Sequence, residues 1–241
     1  MTLNLLQIAT RALDEISSFN SPNNIIGNSD DTAKTLLAAA YKTGEELVRE
    51  FDWQELSKTA TVNTVASTSL YDLESDYERI APDTMWNNSE ARYMRGHTTR
   101  RKWAAITNAS VYSSFTYDWR LKGGQIQVFP TPSSVFTFNY EYLSNIYCTA
   151  SDGTTDRADG WGNDTDLPKL PQDLFIYGIR YYFADSKTLA NATKWGAEYY
   201  DLIETRQNTD VPGERVNMAA SVRAPRGQLR RLNIPDIITG Y

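Results

Sequence analysis

The sequence predicts an α+β protein: a four-helix layer built from the N- and C-terminal segments, an inserted antiparallel β domain and an extended C-terminal arm. Three observations predict it. Apolar residues recur at helical spacing through the first 58 residues and again after Pro168, the period falls to two between them, and from Pro212 onward neither period persists. The expected division is 1–58 and 168–207 for the helical part, 59–167 for the β-rich insertion and 208–241 for the arm.

The first helix is predicted from Leu5 to near Ser17. Leu5, Ile8, Ala9, Ala12, Leu13 and Ile16 follow the i, i+3, i+4, i+7 spacing that lays one apolar stripe along a helix. Pro22 and Gly27 among Asn and Ser make 19–29 a connecting loop. Ser29, Asp30 and Asp31 then place side-chain oxygens where they cap free amides. The second helix that follows should bury Leu36, Leu37, Ala40, Gly44, Leu47, Val48 and Phe51, running on toward Trp53 and Leu56.

After Lys58 the pattern alternates. Strands are predicted at 59–65, 70–73, 84–86, 115–121, 125–129 and 135–143. Lys122-Gly123-Gly124 reads as a tight hairpin, because adjacent glycines accept the positive φ such turns require. In the last strand Phe136, Phe138, Tyr140 and Tyr142 share one face while Thr137, Asn139 and Glu141 share the other, the mark of an antiparallel sheet with one packed face. A short helix over 100–108, with Trp103 and Ile106 inward, interrupts the sheet. The Asp-, Gly-, Thr- and Asn-rich stretch 148–166 reads as a loop. Pro168 and Pro171 then introduce two helices, 172 to about 187 burying Phe175, Ile176, Ile179, Tyr182 and Phe183, and 190–205 burying Trp195, Tyr199, Leu202 and Ile203.

Composition narrows the function. With 24 Lys plus Arg against 30 Asp plus Glu, the chain carries a net charge of −6, the wrong sign for gripping nucleic acid with its whole surface. The single cysteine, Cys148, allows no internal disulfide or cysteine-rich zinc site, and the single histidine, His97, leaves little room for His-based catalysis. No stretch approaches the roughly 18 apolar residues of a membrane-spanning helix. Met1-Thr2-Leu3-Asn4 lacks the basic segment of a signal peptide, so a soluble protein of a reducing cytoplasm, without a membrane partner, is expected. The surplus is aromatic: 15 Tyr, 6 Trp and 8 Phe, residues that suit pleated half-buried surfaces and interfaces.

No constellation points to a reaction. His97, in Arg95-Gly96-His97-Thr98-Thr99-Arg100-Arg101, has no Ser, Cys or carboxylate placed by sequence to orient it as a base, and reads as a surface or capping histidine. Cys148 has no CxxC partner and reads as a small buried hydrophobe. Asp152, Asp156, Asp159, Asp164 and Asp166 would suit calcium, but their order is not that of a calcium-binding loop, and a solvated loop is the alternative. Tyr and Trp on the strands would stack on sugars or unpaired bases, with Arg92, Arg95, Arg100 and Arg101 supplying charge for the latter; packing within the sheet is the reading the period-2 pattern favours. No cofactor or metal is expected.

The arm has a character of its own. Arg215, Arg223, Arg226, Arg230 and Arg231 against Glu214 and Asp236 make residues 212–241 +3, which leaves −9 for the rest of the chain. Its charges alternate with Leu229, Leu232, Ile234, Ile237, Ile238 and Tyr241, bulky residues that a purely disordered tail lacks. Arg223, Arg226, Arg230, Arg231, Leu232, Ile234, Ile237, Ile238 and Tyr241 are therefore the candidate partner-binding residues, with a floppy tail as the alternative.

These residues resemble a known family. Asp31-Thr32-Ala33, Leu36-Leu37-Ala38 and Gly44-Glu45-Glu46-Leu47-Val48-Arg49-Glu50-Phe51-Asp52-Trp53-Gln54-Glu55-Leu56 are similar to the helical signature of tailed-phage head-to-tail adaptors, including the tail tubular protein A type of short-tailed phages. Trp86, the Trp103 helix, Tyr117-Asp118-Trp119-Arg120-Leu121-Lys122-Gly123-Gly124, Tyr140-Glu141-Tyr142 and Leu170-Pro171-Gln172-Asp173-Leu174 agree in order, so the resemblance covers about residues 1–206. It implies a non-enzymatic virion protein of the tail or neck, assembled in the host cytoplasm as a dodecameric ring. The implied partners are further copies of itself, the portal protein, a tail nozzle or tail tube protein and tail fibres, with DNA passing through the channel without sequence-specific binding. The alternative from the residues alone is a carbohydrate-binding or glycan-degrading tail component using the aromatic β domain.

Overall fold

The computed structural model describes residues 2–16, 19–108 and 116–210, which form five α-helices and ten strands in antiparallel sheets, a mixed α and β architecture. In chain order these are α1 (Leu5–Asp14), α2 (Asp31–Glu50), β1 (Ser57–Asn63), β2 (Leu70–Asp72), β3 (Tyr77–Ile80), β4 (Trp86–Asn87), β5 (Arg92–Tyr93) and α3 (Arg100–Asn108). There follow β6 (Asp118–Lys122), β7 (Gln125–Phe129), β8 (Thr137–Ser144), β9 (Cys148–Thr149), β10 (Leu167–Pro168), α4 (Gln172–Ser186) and α5 (Ala192–Asp210).

Both N-terminal helices start where capping chemistry allows. Asn4 and Gln7 exchange side-chain and backbone hydrogen bonds at the head of α1 (2.9 and 3.0 Å), and Asp30 accepts the Thr32 N–H at the head of α2. Helix α1 ends at Asp14, short of the expected Ser17, although Ile16 is still buried. At the other end of α2, Trp53 Nε1 donates to the Leu47 carbonyl (2.7 Å), and Arg79 donates to the carbonyls of Val48 and Phe51 (2.8 and 2.6 Å). The terminal carbonyls that a helix leaves unpaired are thus satisfied by a cation reaching across from β3.

The predicted stripes of α1, α2, α4 and α5 meet. Leu5, Ile8 and Leu13, Leu36 and Leu47, Phe175, Ile179 and Phe183, and Tyr199 and Ile203 belong to one buried cluster, with α1 and α2 both packed on α4. The α2–α4 approach is set by Gly178, where an added Cβ would lie 2.4 Å from Thr43 Cγ2 and 3.1 Å from Tyr199 Cε2. Gly178→Ala is therefore expected to destabilise by about 1–3 kcal/mol despite alanine's better helix propensity. Urea unfolding of Gly178→Ala, and of Gly178→Ala combined with Thr43→Ala, checks this. The second change should recover most of the loss.

Polar side chains tie the same helices. Arg180, 6% exposed, is paired with Glu15 and Glu198 and lies over the rings of Tyr177 and Trp195, joining the end of α1 to α4 and α5. Glu46 on α2 accepts from the hydroxyls of Tyr182, Tyr199 and Tyr200. Burial first, and then the Glu46 charge, raise the Tyr182 and Tyr199 hydroxyls well above the usual tyrosine range.

The β-rich part has its own core. One sheet runs β1-β8-β4-β5 with β3 also on β8, and a second runs β2-β7-β6. The β1–β8 register pairs Ala60 with Tyr140 and Val62 with Phe138, which sends Phe136, Phe138, Tyr140 and Tyr142 inward against Tyr71, Trp119, Ile126 and Val128. Gly123 and Gly124 take φ of +62° and +77° between β6 and β7, the hairpin the sequence predicts. Helix α3 occupies its expected span with Trp103 buried, but Ile106 is only half-buried.

Other elements differ from expectation. Strand β4 begins at Trp86, where the expected strand ends, and β3 and β5 were not anticipated. They are short pieces whose hydrogen bonds to β8 and β4, not an internal period, hold them extended. Helix α5 begins at Ala192 and continues to Asp210, past the expected Thr205.

Candidate functional site

The acidic stretch 148–166 is where structure departs most from the sequence expectation. Several of its side chains are engaged with the protein. Asp164 accepts the Ile25 and Ile26 N–H groups (3.0 and 2.9 Å), and its carbonyl accepts from Leu6 N–H. Asp166 is fully buried; its carboxylate accepts from the Gly162 and Asn163 N–H groups and pairs with Arg157, while its carbonyl accepts from Leu5 N–H at the head of α1. Asp152 caps its own turn through Thr154 and Thr155. Trp161, 1% exposed, packs edge-on against Tyr147 and Phe175 in the helical core. The solvated-loop reading holds for the exposed Asp152, Asp156 and Asp159 but fails for Asp164, Asp166 and Trp161, which make the end of the loop a strap that supplies caps to α1 and a ring to the core. Among the described residues no group of three or more His, Cys, Asp and Glu side chains is placed to hold a metal ion.

Asp156 and Asp76 clamp the strap to the sheet. Lys58 on β1 reaches both carboxylates (2.8 and 2.7 Å), Lys169 also pairs with Asp156, and Tyr142 and Ser144 donate to Asp76. Burial opposes ionisation of Asp76, but the hydrogen bonds from Lys58, Ser144 and Tyr142 outweigh it and hold its pKa down at about 2, against an ordinary 3.8. A carboxyl depressed in the folded state contributes stability above its unfolded pKa and loses it as pH falls through the folded one. Thermal melting between pH 4 and 2 should therefore show a loss of about 2 kcal/mol in the native chain that is missing in Asp76→Asn, which starts out weaker at neutral pH.

Beside the strap lies a pocket of about 280 Å³ between α2, β3 and the segment 145–160, lined by Tyr41, Glu45, Arg49, Glu78, Tyr147 and Asp159 among others. Arg49 is paired with Glu45 one turn away (3.1 Å), and the Tyr41 hydroxyl donates to the Trp161 carbonyl (2.6 Å). The pocket is acidic. Sequence reasoning does not find it, because its carboxylates come from three separate segments with no shared spacing.

The other candidates resolve individually. Cys148 is fully buried, and burial pushes its thiol up to about 12, which makes it an inert core residue. His97 is exposed, edge-on to Trp119 at 5.5 Å. The aromatic face of β8 is core and unavailable to a sugar or base; Tyr93, packed on Trp86, is the aromatic with the greatest exposure among the described residues. Arg92, Arg95, Arg100 and Arg101 are exposed around the start of α3. The candidate arm residues, Arg223 through Tyr241, lie outside the described residues.

Over residues 3–224 the sequence matches the family described as SU10 adaptor protein. The chain belongs to that family. A comparison with curated proteins finds no match. Membership bears out the resemblance to head-to-tail adaptors and identifies a structural adaptor of a bacteriophage virion, a component of its neck or tail. The adaptor's match also runs past the last described residue into the basic arm, as far as Arg223 and Ala224, which the resemblance read from motifs does not reach. No described helix of the adaptor is long and apolar enough to cross a membrane.

Proposed function

We propose that this adaptor assembles as a ring, of twelve subunits by analogy with head-to-tail adaptors, between the portal and the tail nozzle or tail tube, and continues the DNA channel without catalysing a reaction. The observation that carries the reading is the family match over residues 3–224, which takes in the helical segments at both ends of the chain, the sheets between them and the beginning of the arm. In this reading 1–58 and 168–207 form a four-helix layer that builds the ring, 59–167 projects from it, and 208–241 reaches a neighbouring component. The charge distribution supports it: −9 outside the arm suits a conduit that passes DNA without holding it, and the +3 arm suits an acidic docking surface.

A virion reconstruction tests the reading directly. Twelve copies around the channel beneath the portal are expected; a position elsewhere in the particle, or a monomer, overturns it. Deleting 212–241 should leave the melting temperature of the remaining chain unchanged while weakening attachment to the portal, and unchanged attachment refutes the role of the arm. Replacing Arg226, Arg230 and Arg231 together should also make attachment less sensitive to salt.

A further inference from the structure

We propose that the acidic pocket on α2 seats an arginine side chain from the first turn of α3 of a second copy of this chain. The pocket carries charge that no described residue of its own subunit neutralises: Arg49 is taken by Glu45, whereas Glu78 and Asp159 have no ion pair among the described residues. Tyr147 forms part of its wall. That side chain is 5% exposed, yet its hydroxyl has no hydrogen-bond partner among the described residues, and it lies so close over Gly160 that a Cβ there would meet it at 2.4 Å. With its ring enclosed, its oxygen open to the pocket and no partner among the described residues, the hydroxyl is free to pair with a polar group that enters from outside.

The chemistry selects a guanidinium. The phenolic oxygen of Tyr147 and the carboxylates of Glu78 and Asp159 all accept hydrogen bonds, and arginine presents five donors in a fixed plane with a charge of the required sign. A lysine ammonium offers fewer donors from a single point. An anion is repelled.

The same chain presents the complement. Helix α3 opens with Arg100, Arg101 and Lys102, all exposed, at the end of a helix where the dipole already disfavours positive charge. Lys102 lies 3.9 Å from Asp118, but Arg100 and Arg101 have no ion pair among the described residues. Helix α3 stands on the second sheet through Trp103, which packs against Phe129 and under Arg120, whereas the pocket is built on α2 and the strap. Complementary patches on different elements of one chain make a heterologous contact, which closes into a ring when the rotation between copies allows it. The inference rests on the ring reading only for the number of copies.

Sedimentation velocity on the purified full chain tests it. Glu78→Arg, and separately Arg100→Glu with Arg101→Glu, should each raise the concentration needed for half-assembly by about tenfold or more, with unchanged melting temperatures, and combining the three changes should recover most of the loss. As a second measurement, mixing Glu78→Cys copies with Arg101→Cys copies under mild oxidation should give a disulfide-linked dimer that neither forms alone; buried Cys148 does not compete. A native chain that forms rings but is indifferent to these changes overturns the pocket and leaves the ring standing. Open chains or dimers that the charge reversals abolish and their combination restores uphold the contact and overturn the ring. A chain that stays monomeric and forms no cross-link overturns both.

Discussion

Replacing Trp161 by alanine is expected to cost about 3–5 kcal/mol of folding stability, the range for deleting a fully buried tryptophan. The residue sits in the middle of an Asp- and Gly-rich connection, where composition alone marks it as dispensable. Its ring is nevertheless 1% exposed, with centroids 5.4 Å from Phe175 and 5.9 Å from Tyr147, and its backbone carbonyl accepts from the Tyr41 hydroxyl. Alanine leaves a cavity between α2, α4 and the strap that none of these large rings can fill without abandoning its own contacts. Trp161→Phe retains most of the volume and should cost well under half as much. Urea unfolding followed by circular dichroism measures both, and a loss below about 1 kcal/mol for Trp161→Ala would mean that the strap does not belong to the cooperative core.

Asp166→Ala is expected to cost about 3 kcal/mol or more, because it removes the acceptor from several donors at once. The carboxylate is fully buried and takes the Gly162 and Asn163 N–H groups at 2.7 and 2.8 Å together with the Arg157 guanidinium. The Asp166 and Asp164 carbonyls accept the first two N–H groups of α1, so opening the strap also frays α1. Hydrogen exchange should locate the damage: faster exchange at Leu5, Leu6, Gly162 and Asn163 in the variant, with the β2-β7-β6 sheet unchanged. Uniform acceleration across the chain would show instead that the strap is not a separable unit.

The elements legible in the sequence share one property, a local period or local chemistry. The Leu5 to Leu13 stripe, the Asp30 cap, the Phe136 to Tyr142 alternation and the Gly123-Gly124 turn each follow from residues within a few positions of one another. Strands β3 and β5 had no such signal. Tyr77–Ile80 is extended because Tyr142, Leu143 and Ser144 of β8 pair with it, and Arg79 within it is committed to the end of α2, some thirty residues earlier. The acidic loop misled for a related reason. Carboxylates in a turn-rich segment have the composition of a solvated loop whether their acceptors face water or buried amides, and composition does not distinguish the two. The pocket drew its acids from α2, β3 and the strap, so no window of sequence contained it.

By itself the sequence determined the α+β class, the helices at both ends with their buried faces, the aromatic face of β8 and the kinship with head-to-tail adaptors, because each is carried by spacing along the chain. Tertiary structure alone decided what the scattered charges do: Arg79 caps α2, Asp76 and Asp156 share Lys58, Asp164 and Asp166 anchor the head of α1, and Glu78 and Asp159 are left facing a pocket. A charged side chain has no fixed role along the chain; the partner that folding brings within hydrogen-bond reach assigns it one.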